Sequence, residues 1–266
     1  MTDQAQTLAQ TPDQFIALAE ALADIARPIV KGYFRSGTAI SDKQDASPVT
    51  EADRAAETAM RERITETFPE HGILGEEFGP ERADADYVWV LDPIDGTKAY
   101  VTGKPLFGTL IALTHEGRPI VGVIDQPILD ERWLGARGRA STYNGETIST
   151  RAAASLADAW LYATSPDMFE GPDADAFARL SGNAKHALYG ADCYAYGLLA
   201  SGYTDLVCEA SLKPYDYCAH VPIIEGAGGV ITDWSGAPLR IDSDGRVLAA
   251  GDGETHQAAL RHLQGS

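Results

Sequence analysis

Two aspartates three residues apart, followed at once by a glycine and a hydroxyl, form the stretch Asp92-Pro93-Ile94-Asp95-Gly96-Thr97. Further carboxylates stand at Glu76-Glu77, within Thr50-Glu51-Ala52-Asp53, and at Tyr215-Asp216. Carboxylates gathered from separate segments are the oxygen donors that a hard divalent cation takes. Backbone amides at Gly96 and Thr97, where a short helix could begin, could face an anion such as phosphate. Pro93 narrows the freedom of the backbone between the two acids. A plainer reading competes, because Asp, Pro and Gly are ordinary turn formers and Asp92 to Gly96 alone reads more readily as a surface turn. The same holds for Thr50 and Asp53, whose spacing is that of a helix cap. The combination favours the cation, since a surface turn has no use for acids at three further element ends.

The elements that must position these groups follow from hydrophobic period. Val88 to Leu91 is a continuous apolar run rich in β-formers, a buried strand that delivers the acids at its C-terminal end. Pro12 through Phe34 has helical period, with Pro28 predicted to kink it. Arg35 to Ser47 reads as a loop or short hairpin, and a second helix starts near Pro48-Val49-Thr50, with Ala56, Ala59, Met60 and Ile64 as its core face. Leu106 to Tyr143 is an antiparallel meander with turns at Glu116-Gly117, Pro127 to Asp130 and Arg137-Gly138, and Asn144-Gly145 marks one more tight turn. From Ser155 onward strands and helices alternate, including helices over Tyr194 to Ala200 and Asp216 to Gly226. The change of style sets a soft boundary that divides the chain into halves, 1–150 and 151–266.

Composition bounds the rest. A chain of 266 residues with 44% hydrophobic content buries a sizeable core. A formal charge of −18 argues against nucleic acid or an anionic membrane as partner. Three cysteines without Cys-x-x-Cys spacing read as reduced thiols, no apolar run nears the ~20 residues of a membrane span, and Met1 to Thr11 has no signal-peptide core, so a cytoplasmic protein is expected. The six histidines form no His-Glu-x-x-His pattern, and no Gly-x-Ser-x-Gly elbow or Gly-Lys-Ser/Thr phosphate loop occurs. Residues 92–103 fail as a calcium loop because Gly103 stands where a bidentate Glu is needed.

Gly75-Glu76-Glu77, Asp92-Pro93-Ile94-Asp95-Gly96-Thr97, Tyr215-Asp216 and Glu225-Gly226-Ala227-Gly228-Gly229, in that order, resemble the inositol monophosphatase family of magnesium-dependent, lithium-sensitive phosphatases. The likeness runs from about Phe15 to the C-terminal helix. Asp95-Gly96-Thr97-Lys98, Pro105 to Thr109, Gly122 to Pro127, Asp192 to Gly197 and Leu212 to Asp216 resemble the histidinol-phosphate phosphatases of that family. The resemblance implies an α+β/α/β fold, layered α-β-α-β-α, with an antiparallel sheet in the first half, a mixed sheet in the second and the site between them. It further implies that Glu76, Asp92 and the Ile94 carbonyl hold one Mg2+, that Asp92, Asp95 and Asp216 hold a second, and that a third sits at Glu76. Water is then the nucleophile, relayed through Thr97 to Asp53, with the Gly96 and Thr97 amides on the phosphate. Lys43 is expected over the site or simply in solvent, and a homodimer is expected on resemblance alone.

Substrate choice is expected from the second half. Asp192 stands where inositol phosphatases commonly have alanine, Tyr215 replaces a tryptophan, and Lys98 follows the threonine. Asp192 and Glu209 add negative charge that suits the ammonium and imidazole of L-histidinol phosphate. The competing view is that Asp192 caps the helix beginning near Cys193. Other readings are an inositol-1-phosphate or broad phosphomonoesterase, and a non-catalytic cation-binding protein of the same fold.

Overall fold

The computed structural model describes residues 10–36, 40–42 and 48–265. Helix α1 (Asp13–Tyr33) runs on through Pro28 and is followed by an antiparallel hairpin, β1 (Ile40–Asp42) and β2 (Pro48–Thr50). The hairpin alternative thus holds for the described part of the loop, and Lys43 lies outside the described residues. Helix α2 (Glu51–Thr67) starts three residues later than the sequence suggests, because Pro48–Thr50 is spent on β2.

Eight further strands form the first large sheet: β3 (Gly72–Gly75), β4 (Gly79–Glu81), β5 (Tyr87–Asp95), β6 (Gly108–His115), β7 (Arg118–Gln126), β8 (Glu131–Ala136), β9 (Thr142–Tyr143) and β10 (Glu146–Thr147). Their order is β10-β9-β8-β7-β6-β5-β3-β4. The meander is as read from the sequence, but the sheet departs from the expected antiparallel pattern at one place, where β3 and β5 pair in parallel. The cause is that β4 folds back on the outer edge of β3, so the chain re-enters beside β3 in the same direction. Side chains of β5 alternate as a strand requires. Trp89 and Leu91 enter a core shared with α1 and α2, while Val88 and Val90 enter the core on the opposite face.

The second sheet contains β11 (Trp160–Ala163), β12 (His186–Tyr189), β13 (Leu206–Glu209), β14 (Val230–Thr232) and β15 (Val247–Ala250), in the order β12-β11-β13-β15-β14, with parallel and antiparallel pairs. A short helix, α3 (Thr97–Val101), follows β5; α4 (Pro172–Ser181) and α8 (Gly253–Gln264) pack on the outer face of the second sheet. Between the two sheets lie α5 (Tyr194–Ala200), α6 (Pro214–Tyr217) and α7 (His220–Gly226). The layers are therefore α1/α2, sheet, α5–α7, sheet, α4/α8. No described helix is long and apolar enough to cross a membrane.

One helix over Asp216 to Gly226 was expected; two short ones are found. Pro222 has no N–H for the Cys218 carbonyl, so the hydrogen-bond ladder breaks there although the backbone at Cys218 and Ala219 stays helical. Helix α7 sits on β7 and β8 with almost no clearance. A Cβ added at Gly122 would lie 1.9 Å from the Ala219 carbonyl oxygen, and one at Gly135 would lie 2.4 Å from that of Pro222. This contact seats the segment that carries Asp216. Gly122→Ala should therefore destabilise the protein by about 1–3 kcal/mol or more through overpacking. Gly253→Ala, where an added methyl meets nothing within 4 Å, should shift it by about 0.5 kcal/mol or less. Urea unfolding of the two variants beside the parent checks the contrast.

Candidate functional site

In a regular strand Asp92 and Asp95 would point to opposite faces of the sheet. They do not, because the pairing of β5 with β6 shifts register between them. Asp92 keeps the face of Val88 and Val90, whereas Ile94 turns into the core of α1 and α2, against the even-numbered rule. The bulge thereby returns Asp95 to the side of Asp92. Local hydrogen bonds hold this shape: the Ile94 N–H donates to Asp92 Oδ1 at 3.0 Å, and the Thr109 hydroxyl donates to the Pro93 carbonyl at 2.7 Å. The strand thus continues through Asp95 instead of ending at Leu91. Gly96 follows in the left-handed region at φ 85°, and α3 begins.

Asp216, on α6, completes the group. Asp92, Asp95 and Asp216 each offer an oxygen within 4.8 Å of the others'. They open onto a cavity of about 290 Å³ that also receives Glu76, Thr97, Asp192 and Glu209. Asp95 Oδ2 accepts from the Cys193 N–H at 2.7 Å, and Asp216 Oδ2 from the Lys213 N–H at 2.7 Å. All-carboxylate donors suit a hard divalent cation, and burial pushes the neighbouring Cys193 thiol well up, so that it stays protonated and offers no thiolate. The site residues expected from the sequence are thus together, with qualifications. Asp53 is buried in the first turn of α2, near enough to Asp92 for its charge to be felt, but it does not line the cavity. The Thr97 hydroxyl donates to the Ile94 carbonyl at 3.0 Å, so donating to Asp53 requires that its hydrogen be redirected.

The chain matches the model of the inositol monophosphatase family over residues 11–266. It belongs to the inositol monophosphatase family. It is 52% identical over 261 residues to the bifunctional phosphatase IMPL2, chloroplastic, of Arabidopsis thaliana, covering 95% of this chain and 75% of that one. It is 36% identical to a histidinol-phosphatase of Chlorobaculum parvum, covering 90% and 92% of the two chains. The fold superposes on a solved inositol monophosphatase from Zymomonas mobilis with a TM-score of 0.88 and 47% identity, over 95% of this chain and 98% of that one. The family consists of metal-dependent phosphatases acting on small phosphomonoesters, and the carboxylate cluster fits that chemistry.

Two further acids singled out from the sequence, Asp192 and Glu209, line the same cavity. Asp192 does not cap α5: that helix has no side-chain cap, and its Cys193 N–H goes to Asp95. Asp192 itself takes a left-handed backbone at φ 48°, and it packs so near Gly96 that a Cβ there would meet its carboxyl carbon at 3.1 Å. Glu209 is buried, with Oε1 accepting from the Thr164 N–H at 2.9 Å and Oε2 from the Tyr196 hydroxyl at 2.9 Å. Tyr196 stacks on His220, whose burial lowers its pKa to about 3 and leaves a neutral ring in the cavity wall. The sequence reading missed Thr164, Tyr196 and His220, for which no local pattern signals a pocket. It also missed Glu57, because Asp53, Glu57 and Arg61 recur every four residues as a polar row, beside the apolar row Ala52, Ala56, Met60 and Ile64, and such a row reads as a solvent face. Glu57 is fully buried, whereas Ala59, expected in the core face, is half-buried.

Crowding of these acids carries an electrostatic cost. Burial first, then the charges of Glu76, Asp95, Asp216 and Asp53, push the Asp92 carboxyl well above its usual range. Asp95 is pushed up likewise by burial, Asp192 and Asp216. Burial raises Asp216 to about 7 against the pull of the Lys213 N–H, and raises Asp192 to about 6 with help from Glu209. Each group holds its proton more tightly folded than unfolded. The stability they contribute is therefore present in acid and is lost as pH rises through those folded values. In chelator, the melting temperature should fall between about pH 4 and pH 7, from the unfolded carboxyl value to the raised folded ones, and added divalent cation should stabilise increasingly over the same interval. Thermal melts at matched ionic strength check this, and a flat or rising chelator curve contradicts it.

Proposed function

We propose that this chain is a Mg2+-dependent histidinol-phosphate phosphatase, releasing L-histidinol and phosphate in histidine biosynthesis. The observation that carries the reading is a second acidic pair, Asp192 and Glu209, in the same cavity as the cluster of Asp92, Asp95 and Asp216. A substrate that carries a phosphate together with an ammonium and an imidazole is complementary to a cavity that offers both a cation-holding cluster and a second acidic pair. The likeness to proteins named histidinol-phosphatase supports it.

In this reading Glu76, Asp92, Asp95, Asp216 and the Ile94 carbonyl hold two or three Mg2+ ions. Bound there, the ions lower the pKa of water and offset the charge that builds on the phosphoryl oxygens. The N–H groups of Gly96 and Thr97 hold phosphate oxygens and orient the ester. Thr97 takes the proton of the attacking water as it passes its own to Asp53. Water attacks phosphorus, the ester P–O bond breaks, and the leaving alkoxide takes a proton from solvent water to give the alcohol, while Asp53 returns the proton it received to solvent. Asp192 takes the substrate's cationic end. Glu209, already holding Thr164 and Tyr196, contributes charge and a remaining lone pair. The 1–150 segment supplies most of the chemistry, 151–266 the selectivity and Asp216. Three buried free thiols, Cys193, Cys208 and Cys218, fit a reducing compartment. We assign the cytoplasm and a homodimer, with no nucleic-acid or membrane partner.

A second reading, an inositol-1-phosphate or broad phosphomonoesterase, is favoured by the 47% identity to the Zymomonas mobilis protein. A substrate panel at one pH and one Mg2+ concentration separates the two: higher kcat/KM on inositol 1-phosphate than on histidinol phosphate overturns the first. Asp192→Asn and Glu209→Gln should lose about one to two decades in kcat/KM on histidinol phosphate, roughly the 1.5–3 kcal/mol of a charge-assisted hydrogen bond. p-Nitrophenyl phosphate should register little of that loss.

The chemistry is tested separately. Asp95→Asn keeps an acceptor for Cys193 and removes a charge, so it should abolish most turnover while the fold survives. Thr97→Ala should lower kcat by ~10²- to 10⁴-fold with a smaller effect on KM. A kcat within about threefold of the parent, far below that range, refutes the relay.

A further inference from the structure

The three residues between β3 and β4, Glu76-Glu77-Phe78, must spend their backbone N–H groups somewhere, and all three destinations are known. The Glu76 N–H bonds to the Leu91 carbonyl at 3.1 Å, tying the segment to β5. The Glu77 and Phe78 N–H groups both go to one side chain, Glu57 of α2, at 2.8 and 3.3 Å. Glu57 is 0% exposed, and its charge is met by Arg61 one turn later, at 2.7 Å. Arg61 reaches on to the Gly79 carbonyl, where β4 starts. The carboxylate occupies the space a side chain at residue 75 would take: a Cβ on Gly75 would lie 1.9 Å from Glu57 Oε1.

From this geometry we propose that Glu57 is a positioning residue for cation affinity. It neither lines the cavity nor touches a reacting atom. It fixes the connection that aims Glu76 into the site, a buried anion doing for this turn what the β6 strand does for Asp92. A wholly buried carboxylate satisfied by two amides and an arginine is costly to keep unless its placement matters, since an apolar side chain of similar size would fill the space. The proposal rests on the reading of Glu76 as a cation ligand, and its test separates the two.

Mn2+ binding to the metal-stripped protein, without substrate, is measured by electron paramagnetic resonance for the parent, Glu76→Gln, Glu57→Gln and Gly75→Ala. Melting in chelator identifies the folded variants. Glu57→Gln should weaken Mn2+ binding by about tenfold or more, as loss of a group that orients a ligand does. The Mg2+ concentration for half-maximal turnover should rise in step, with kcat at saturating Mg2+ and substrate KM less affected. Faster amide exchange at Glu77 and Phe78 in the same variant is the accompanying signature. Gly75→Ala displaces the carboxylate without removing it and should give the same phenotype, which keeps the test open if Glu57→Gln does not fold. Parent-like Mn2+ affinity in a folded Glu57→Gln or Gly75→Ala, beside a weakened Glu76→Gln, overturns the role of Glu57 alone. Parent-like affinity in Glu76→Gln overturns the reading of Glu76 and the proposal with it.

Discussion

Residues three apart on a regular strand face opposite sides of a sheet, so a pair of acids at that spacing needs a break in the strand to meet. In β5 the break is a shift of register against β6, and the site depends on it. The Thr109 hydroxyl and Asp92's own carboxylate take up the backbone groups the bulge displaces, and Ile94 anchors the bulge in the core of α1 and α2. Without that anchor the bulge could slide, and Asp95 would turn away from Asp92. The charges themselves work against this assembly. Burial and mutual repulsion lift the carboxyl pKa values, so the fold holds the acids together at a cost that the apolar packing on both faces of the strand offsets.

Helix α2 shows the same division of labour in one element. Its row of Ala52, Ala56, Met60 and Ile64 is apolar and fully buried. The adjoining row of Asp53, Glu57 and Arg61 is polar, and its two acids are equally buried. Binary patterning assigns the second row to solvent, which is why Glu57 was not legible as an interior residue. Only the position of β3 and its turn against that face reveals it.

Much else was readable. The apolar run of β5 ending in acids, the meander, the span of α5 and the five layers all follow from residue periodicity or from motifs quoted in order. Most of the unread features share a cause, a distant partner that decides them. The bulge depends on the register of β6, and the parallel β3–β5 pair depends on where β4 lies. Asp192 looks like a cap until Asp95, nearly a hundred residues away, is seen to hold that helix's amide. The break between α6 and α7 is different, because Pro222 announces it locally.

Strand β15 lies between β13 and β14 in the second sheet, and among the described residues β14 pairs with no other strand there. A polypeptide that has emerged only as far as Asp216 therefore possesses every expected cation ligand yet leaves β13, with Glu209, bordered by an open edge. The ligands come from segments separated by more than a hundred residues, so their closure entropy is spent late. Cation capture should accordingly wait until β14 and β15 have joined the second sheet, with the nascent chain first passing through a stage at which its acids repel one another.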